Sequence, residues 1–224
     1  MMETLYTIDS GNTNLKVTKF SPSGEVLDVL ILNSLEELSL NDQEQAIFCS
    51  VNKEIPNGLS KNIVNFNLLK KKLSLSTSYS ETIGNDRLAL VYYLQNIYPG
   101  ESFIAVDAGS FITIDIVISG KHEGGYIFPG LKTFLSIYSI NGKNLPGLEI
   151  PNTKIESIPV NTKQAIEAAF QNYIESIETK IKSFNISNIL VTGGDANKLT
   201  LSDANYEKDL LAKALYYIFK EFNT

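Results

Sequence analysis

A chain of 224 residues with a net charge of -6 is long enough to bury a sizeable core and too acidic to neutralise nucleic-acid phosphates over a broad surface. Hydrophobic residues make up 43 %, which suits a globular fold and excludes wholesale disorder. One cysteine, Cys49, and one histidine, His122, leave little for a zinc site, an internal disulfide or a Ser-His or Cys-His dyad, so acid–base work falls to Asp, Glu, Lys or Tyr.

In chain order, residues 5–9 and 15–20 read as two strands joined by the turn Asp9-Ser10-Gly11-Asn12-Thr13. "GEVLDVLIL" reads as a third strand, "SLEELSL" as a short helix and "AIFCSV" as a buried strand. "NGLSKNIVNF" is expected to be helical, and "LLKKKLSLSTSYS" a loop or edge segment whose three lysines form a solvated face. From Asp86, "RLALVYYLQNIY" carries an apolar helical face that ends before Pro99-Gly100. A second block then opens with the strand "SFIAVD" and the alternating strand "FITIDIVIS". His122, in "SGKHEGG", reads as a solvated turn residue, and "GGYIF" follows as a third strand. "LKTFLSIYSI" and "NTKQAIEAAFQNYIESIETKIKSF" read as helices, "NILVTGGD" as a strand ending in two glycines, and "YEKDLLAKALYYIFKEF" as the last helix. Apolar runs such as "FITIDIVI" are too short to cross a bilayer, and no basic-then-apolar leader opens the chain. The cytoplasm is therefore the expected compartment, with no membrane and no nucleic acid as partner.

The two blocks match in order. Each runs strand, Asp-x-Gly flanked by hydroxyls or amides, strand, turn, third strand, helices. Asp9 and Asp107 lie 98 residues apart (107 minus 9), a domain length and too long for a solenoid repeat. A duplicated α/β fold follows, with domains expected over 1–100 and 101–224 that face each other across a cleft.

A tight turn at Gly11 lets successive backbone N–H groups point inward as an anion nest, to which Asn12 and Thr13 add donors. Asp9 at the strand end suits a hydrated magnesium ion, and Lys16 adds a point charge for phosphates. Asp107-Ala108-Gly109-Ser110 repeats the same pieces. Two such tips suit the phosphate tail of a nucleotide, and phosphoryl transfer needs mostly positioning and charge stabilisation. The Gly-Gly of "VTGGD" permits close approach of a flat ring such as adenine, and serves equally as a strand-to-helix turn. Asp86 is the candidate base for an attacking alcohol, although Asn85-Asp86 also suits a helix cap. Beside it stands Arg87, the one arginine among 19 basic residues, whose planar fork suits a carboxylate or phosphate.

"DSGNT", "GNDRLA", "VDAGSFITID", "GGYIFPGL" and a late "TGGD", in this order and spacing, resemble the type III pantothenate kinases from Asp9 to about Asp195. The resemblance implies duplicated ribonuclease H-like domains of the actin-like and sugar-kinase superfamily. It implies ATP-dependent phosphorylation of pantothenate, the first step of coenzyme A synthesis, with Mg2+ and an activating K+ or NH4+ ion. By match, Asp9, Ser10, Gly11, Asn12, Thr13, Asn14, Leu15 and Lys16 correspond to the first phosphate-binding segment and Ser110 to a second nucleotide contact. Gly84, Asn85, Asp86 and Arg87 correspond to the pantothenate-contacting stretch, with Asp86 as proton acceptor and Tyr79 as the pocket tyrosine. Asp107 matches the acid for the monovalent cation. Thr162 matches a threonine that reaches the pantothenate site of the other subunit, so a homodimer is implied. The chain departs from the family pattern at Asn85, Ser110, Phe111 and Ala169. Two other readings stand beside this one: a regulatory binder without catalysis, and a kinase of the same superfamily acting on a sugar.

Overall fold

The computed structural model describes residues 4–11, 15–50, 55 and 61–222. Its first sheet is built from β1 (Leu5–Ser10), β2 (Leu15–Phe20), β3 (Val26–Leu32), β4 (Gln45–Ser50) and β5 (Ile63–Asn65), in the order β3-β2-β1-β4-β5. β1 pairs antiparallel with β2 and parallel with β4, and β5 runs parallel to β4. The second sheet repeats this plan with β6 (Phe103–Ala108), β7 (Phe111–Ile118), β8 (Lys121–Pro129), β9 (Ile189–Thr192) and β10 (Asn205–Tyr206), in the order β8-β7-β6-β9-β10. Again the first strand pairs antiparallel with the second and parallel with the fourth, and the fifth is parallel to the fourth. The duplicated ribonuclease H-like α/β fold is therefore present at the level of strand order and direction.

Five helices complete the described chain: α1 (Phe66–Leu69), α2 (Asn85–Ile97), α3 (Leu131–Asn141), α4 (Thr162–Lys182) and α5 (Leu210–Phe222). The chain divides into two compact units. One comprises Met1–Glu101, Ile118–Gly124 and Asp209–Thr224, and the other Ser102–Val117 and Gly125–Lys208. The last helix thus groups with the first sheet, although it is reached only after the second.

In the first unit, side chains of β1 and β4 alternate between two apolar clusters, as the period of two requires. Leu5, Ile47 and Cys49 face Phe66, Ala89, Tyr92, Leu215 and Ile218 of the helices, whereas Tyr6, Ile8, Ala46 and Phe48 face Leu15, Val17, Leu35 and Leu38. Both faces are covered, which is why "AIFCSV" is apolar without alternation. In the second unit, Ile104, Val106, Ile112, Ile114 and Ile116 pack against Leu131 and Leu135 of α3 and Ile166, Phe170 and Ile177 of α4.

The structure corrects two local readings. "NIVN" is not helical: Ile63 and Val64 pair with Ala46 and Ile47, and Asn65 then caps α1 by accepting from the Asn67 N–H at 2.9 Å. Two adjacent β-branched side chains fit a half-buried parallel strand better than a helix; residues 57–60 of that stretch lie outside the described residues. "SLEELSL" contributes a single 3-10 turn over Leu35–Glu37. Along the middle of β7, Ile114, Asp115, Ile116 and Val117 are all buried, so both faces of the strand are covered there.

Leu215 of α5 is fully buried among Leu5, Ile47 and Phe66. Leu215→Ala is expected to cost about 2–5 kcal/mol through lost burial and a residual cavity. A shift of the denaturant midpoint measures it; a change under about 0.5 kcal/mol would mean that α5 does not close this core.

Candidate active site

β1 and β6 are both six residues long and share one burial pattern. Every residue is buried except the fifth, which is Asp9 in β1 and Asp107 in β6. Each acid is half-buried one residue before its strand ends. Across the ladders Asp9 stands opposite Lys16 and Cys49, and Asp107 opposite Thr113 and Thr192.

In the first unit the end of β1 carries an unsatisfied polar atom. Ser10 is 3 % exposed, and its buried hydroxyl has no hydrogen-bond partner among the described residues. Such a group costs stability unless something else supplies the bond. Gly11 follows it, and the expected contacts at Asn12, Thr13 and Asn14 lie outside the described residues. Leu15 is buried in the core, which leaves its backbone as the part able to meet a ligand. The Lys16 ammonium donates to the Asp209 carboxylate at 2.8 Å. Asp209 immediately precedes α5 and accepts through its carbonyl from the Lys213 N–H. Sequence reasoning missed Asp209. Its position before an amphipathic helix reads as a cap, and nothing local marks a lysine 193 residues away.

The start of α2 is anchored on the same sheet. Asn85 donates to the Ser50 carbonyl at 2.8 Å and to Asn67 at 3.1 Å, and accepts from Lys70 at 3.2 Å. Ser50 stands opposite Ser10 in the ladder. The departure from the family pattern at Asn85 is thus a clamp that fixes α2 to the end of β4. Asp86 follows in the first turn, where the helix dipole favours a carboxylate. Its carboxylate lies so close to Gly84 that a methyl group there would collide with it. Arg87 is only 4 % exposed; its guanidinium sits 4.7 Å from the ring centre of Tyr79 and donates to the Tyr79 hydroxyl at 3.2 Å. Asp9 and Asp86 also act on one neighbour. Burial first, then the charges of Asp9 and Asp86, push the Cys49 thiol well above its ordinary value, with Lys70 partly opposing.

In the second unit three glycine-bearing motifs converge. Gly193 has φ +99, and a methyl group on it would overlap the Asp107 carboxylate and the Ala108 carbonyl. Asp195 N–H donates to that carbonyl at 2.9 Å. Gly130 caps α3, donates to the Ser110 carbonyl at 3.0 Å, and leaves no room for a side chain against Gly109 and Ser110. Thr133 donates to the same Ser110 carbonyl at 2.9 Å. Beside Gly193 and Gly194 a cavity of about 900 Å³ is walled by Leu199, Leu201, Tyr206 and the side chains of Lys182 and Lys208. Phe111 is 45 % exposed at the start of β7. Thr162 is exposed at the first residue of α4, which Asn161 caps by accepting from the Gln164 N–H at 3.0 Å. Thr162 therefore belongs to the second unit, and the Gly84 to Arg87 stretch to the first.

Among the described residues no three acidic, histidine or cysteine side chains gather as a metal cage, and no helix is long and apolar enough to cross a membrane.

Two sheets with one strand order, each led by a strand that carries an acid one residue before its end, define a duplicated ribonuclease H-like fold. The fold is shared with a structure named for 2-dehydro-3-deoxygalactonokinase from Sinorhizobium meliloti, at TM-score 0.61 and 7 % identity over 97 % of this chain and 98 % of that one. Residues 5–183 match the type III pantothenate kinase family, and the chain belongs to it and is a kinase. It is 30 % identical over 240 residues to the type III pantothenate kinase of Christiangramia forsetii, covering 96 % of this chain and 97 % of the relative. The corresponding enzyme of Campylobacter jejuni is 29 % identical over 193 residues, or 85 % of this chain and 87 % of that one. A solved structure from Campylobacter jejuni, named for the Baf family of transcriptional activators, superposes at TM-score 0.72 with 27 % identity, covering 96 % of this chain and 98 % of that one.

A thiol with a raised pKa stays protonated through neutral pH and is a poor nucleophile. Cys49 is also buried. Iodoacetamide at pH 8 is expected to leave the native protein unlabelled and to modify Cys49 once guanidinium unfolds it, as read by mass spectrometry. Rapid labelling of the native protein would contradict this electrostatic and steric account.

Proposed function

We propose that this chain transfers the γ-phosphoryl group of ATP to the terminal alcohol of pantothenate, the opening reaction of coenzyme A synthesis, with Asp86 as general base. The observation that carries the reading is the presence, in consecutive positions at one helix start inside the family-matched region, of the Asp86 carboxylate and the buried Arg87 guanidinium. A sugar offers Arg87 no carboxylate to bind; pantothenate does.

In the transfer, the alcohol proton passes to Asp86 as the oxygen forms its bond to the γ-phosphorus and the bond to the departing ADP oxygen breaks. Arg87 holds the pantothenate carboxylate through its planar fork, with Gly84, Asn85 and Tyr79 shaping the pocket. Ser10 supplies a hydroxyl that a phosphate oxygen would satisfy, along with the N–H groups of the Gly11 to Leu15 stretch. An ammonium has three N–H donors, so Lys16 keeps two for phosphate while one holds Asp209. Mg2+ neutralises phosphate charge when bound. Asp9 suits it, because this ion commonly takes one or two carboxylates together with substrate phosphates and water rather than a full protein cage. Asp107 is the candidate for K+ or NH4+, as a hard oxygen donor, and Ser110 for the second nucleotide contact. The adenine ring goes against Gly193 and Gly194, in a cavity whose apolar walls suit a flat ring and whose lysines suit an anion. Thr162 acts in the site of a second copy, which makes the enzyme a homodimer, and the cytoplasm its compartment.

The first test is ADP release from ATP with Mg2+ and K+, with and without pantothenate. Release is expected only with pantothenate and should fall when Na+ replaces K+. No release beside an active control would favour a binding protein that keeps the kinase shape. Asp86→Asn should fold, bind ATP and lose turnover by about 10²–10⁴. Wild-type turnover in that variant would remove Asp86 from the base role.

The nucleotide side has its own test. Gly194 is not among the glycines with positive φ, and a Cβ added there meets no atom within 4 Å. Gly194→Val is therefore expected to fold normally, raise KM for ATP about ten-fold or more by occupying the ring's place, and leave KM for pantothenate unchanged. An unchanged KM for ATP would put the adenine elsewhere.

A further inference from the structure

His122 is fully buried, contrary to its reading as a solvated turn residue. It stands in the part of β8 that belongs to the first unit. A buried imidazole must find hydrogen bonds for its ring nitrogens. Its Nδ1 lies 2.9 Å from the Thr77 hydroxyl. The same hydroxyl accepts from the Tyr79 N–H at 2.9 Å. The His122 backbone N–H donates to the Ser76 carbonyl at 2.9 Å, and its carbonyl accepts from the Ser78 N–H at 2.8 Å. This isolated parallel bridge pins residues 76–78, which lie outside every helix and strand, to the start of β8. Gln95 of α2 reinforces it by donating to the Ser76 carbonyl at 2.9 Å and the Gly120 carbonyl at 3.0 Å.

The product of these bonds is the position of Tyr79. Its ring stacks on the His122 imidazole, with centroids 5.8 Å apart and planes 12° from parallel. Its ring and hydroxyl both engage the Arg87 guanidinium, as described above. An unbroken chain of contacts thus runs from His122 through Thr77 and Tyr79 to Arg87. The histidine supplies what no other single side chain combines in that space: a flat face for Tyr79 and a ring nitrogen for Thr77.

We infer that His122 is a positioning residue for substrate recognition, which holds Tyr79 and through it fixes the direction of the Arg87 fork toward the carboxylate of the acceptor substrate. The inference rests on the proposed role of Arg87 in binding pantothenate. A guanidinium recognises a carboxylate in two places only when its plane is set, and Arg87 takes that plane from contact with Tyr79. His122 touches no reacting atom; it acts on the affinity for one substrate.

The test is calorimetric titration of pantothenate into the folded protein, with steady-state KM values for both substrates. His122→Ala is expected to weaken pantothenate binding about ten-fold, the size seen when contacting groups are uncoupled, with KM for ATP and kcat held within about two-fold. His122→Phe, which keeps the flat ring, should recover part of that loss. Thr77→Val, nearly isosteric, removes the hydroxyl that joins His122 to Tyr79 and should weaken pantothenate binding in the same direction; it decides the matter if His122→Ala does not fold. In an Arg87→Ala background, His122→Ala should have no further effect, because its influence passes through Arg87. Wild-type affinity for pantothenate in either folded single variant, equal losses for both substrates, or additive losses with Arg87→Ala would overturn the inference. Absence of pantothenate binding by the wild-type protein would instead overturn the proposed function, and the inference with it.

Discussion

The position of one acid on a six-residue strand organises each half of this protein. β1 and β6 are flanked by an antiparallel partner on one side and a parallel partner on the other, and both are buried along almost their whole length. A strand in that setting has no solvent face, so the end of the ladder is where a charge costs least. Asp9 and Asp107 sit at that place. A residue further back would bury an uncompensated carboxylate, and a shift of one residue would turn it to the other face. The parallel partner then ends beside the same acid, which brings Ser50 opposite Ser10 and Thr192 opposite Asp107. The helix anchored on Ser50 and the glycines that follow Thr192 are consequently delivered to the strand ends by register alone.

The solitary arginine has a physical explanation in its surroundings. A lysine as buried as Arg87 would be driven toward its neutral form, because desolvation penalises a compact ammonium heavily. A guanidinium keeps its charge and tolerates an aromatic neighbour across its plane, which Tyr79 provides. The described lysines occupy wetter positions: Lys16 retains 28 % side-chain exposure while paired to Asp209. Sorting the cations in this way matches hydration strength to burial.

Much of this was legible in the sequence. The three leading strands of each half and the duplicated acid-glycine tips depend on short-range patterns, and local patterns survive folding. What could not be read depends on partners distant in the chain. Nothing near Asp209 announces Lys16, and nothing near His122 announces Thr77 or Tyr79, 45 and 43 residues earlier (122 minus 77 and 122 minus 79). β5 was hidden for a different reason: a three-residue strand flanked by asparagines carries too few residues for either period to emerge, and its neighbour β4 supplies the stability that its own sequence lacks. The grouping of α5 with the first sheet is likewise a tertiary fact. Its apolar face fits Leu5, Ile47 and Phe66, and an apolar face in sequence does not specify which sheet it will cover.

The two halves have kept one scaffold and parted in their chemistry. In the first, the strand end is surrounded by side chains that carry charge or hydrogen bonds: Lys16 across from Asp9, Asn85 on Ser50, Asp86 and Arg87 at a helix start. In the second, hydroxyls stand across from Asp107, and the space beside it is shaped by backbone, since Gly193 and Gly130 admit no side chain against the carbonyls they touch. Side chains can discriminate between acceptor molecules, because a misplaced or missing partner leaves a buried polar group unpaired. Backbone carbonyls and a glycine-lined cavity carry no such side-chain partner to leave unpaired. The same duplication that makes the sheets alike therefore leaves each strand end free to differ in its surroundings, with charged and amide side chains at one and glycine-shaped backbone at the other.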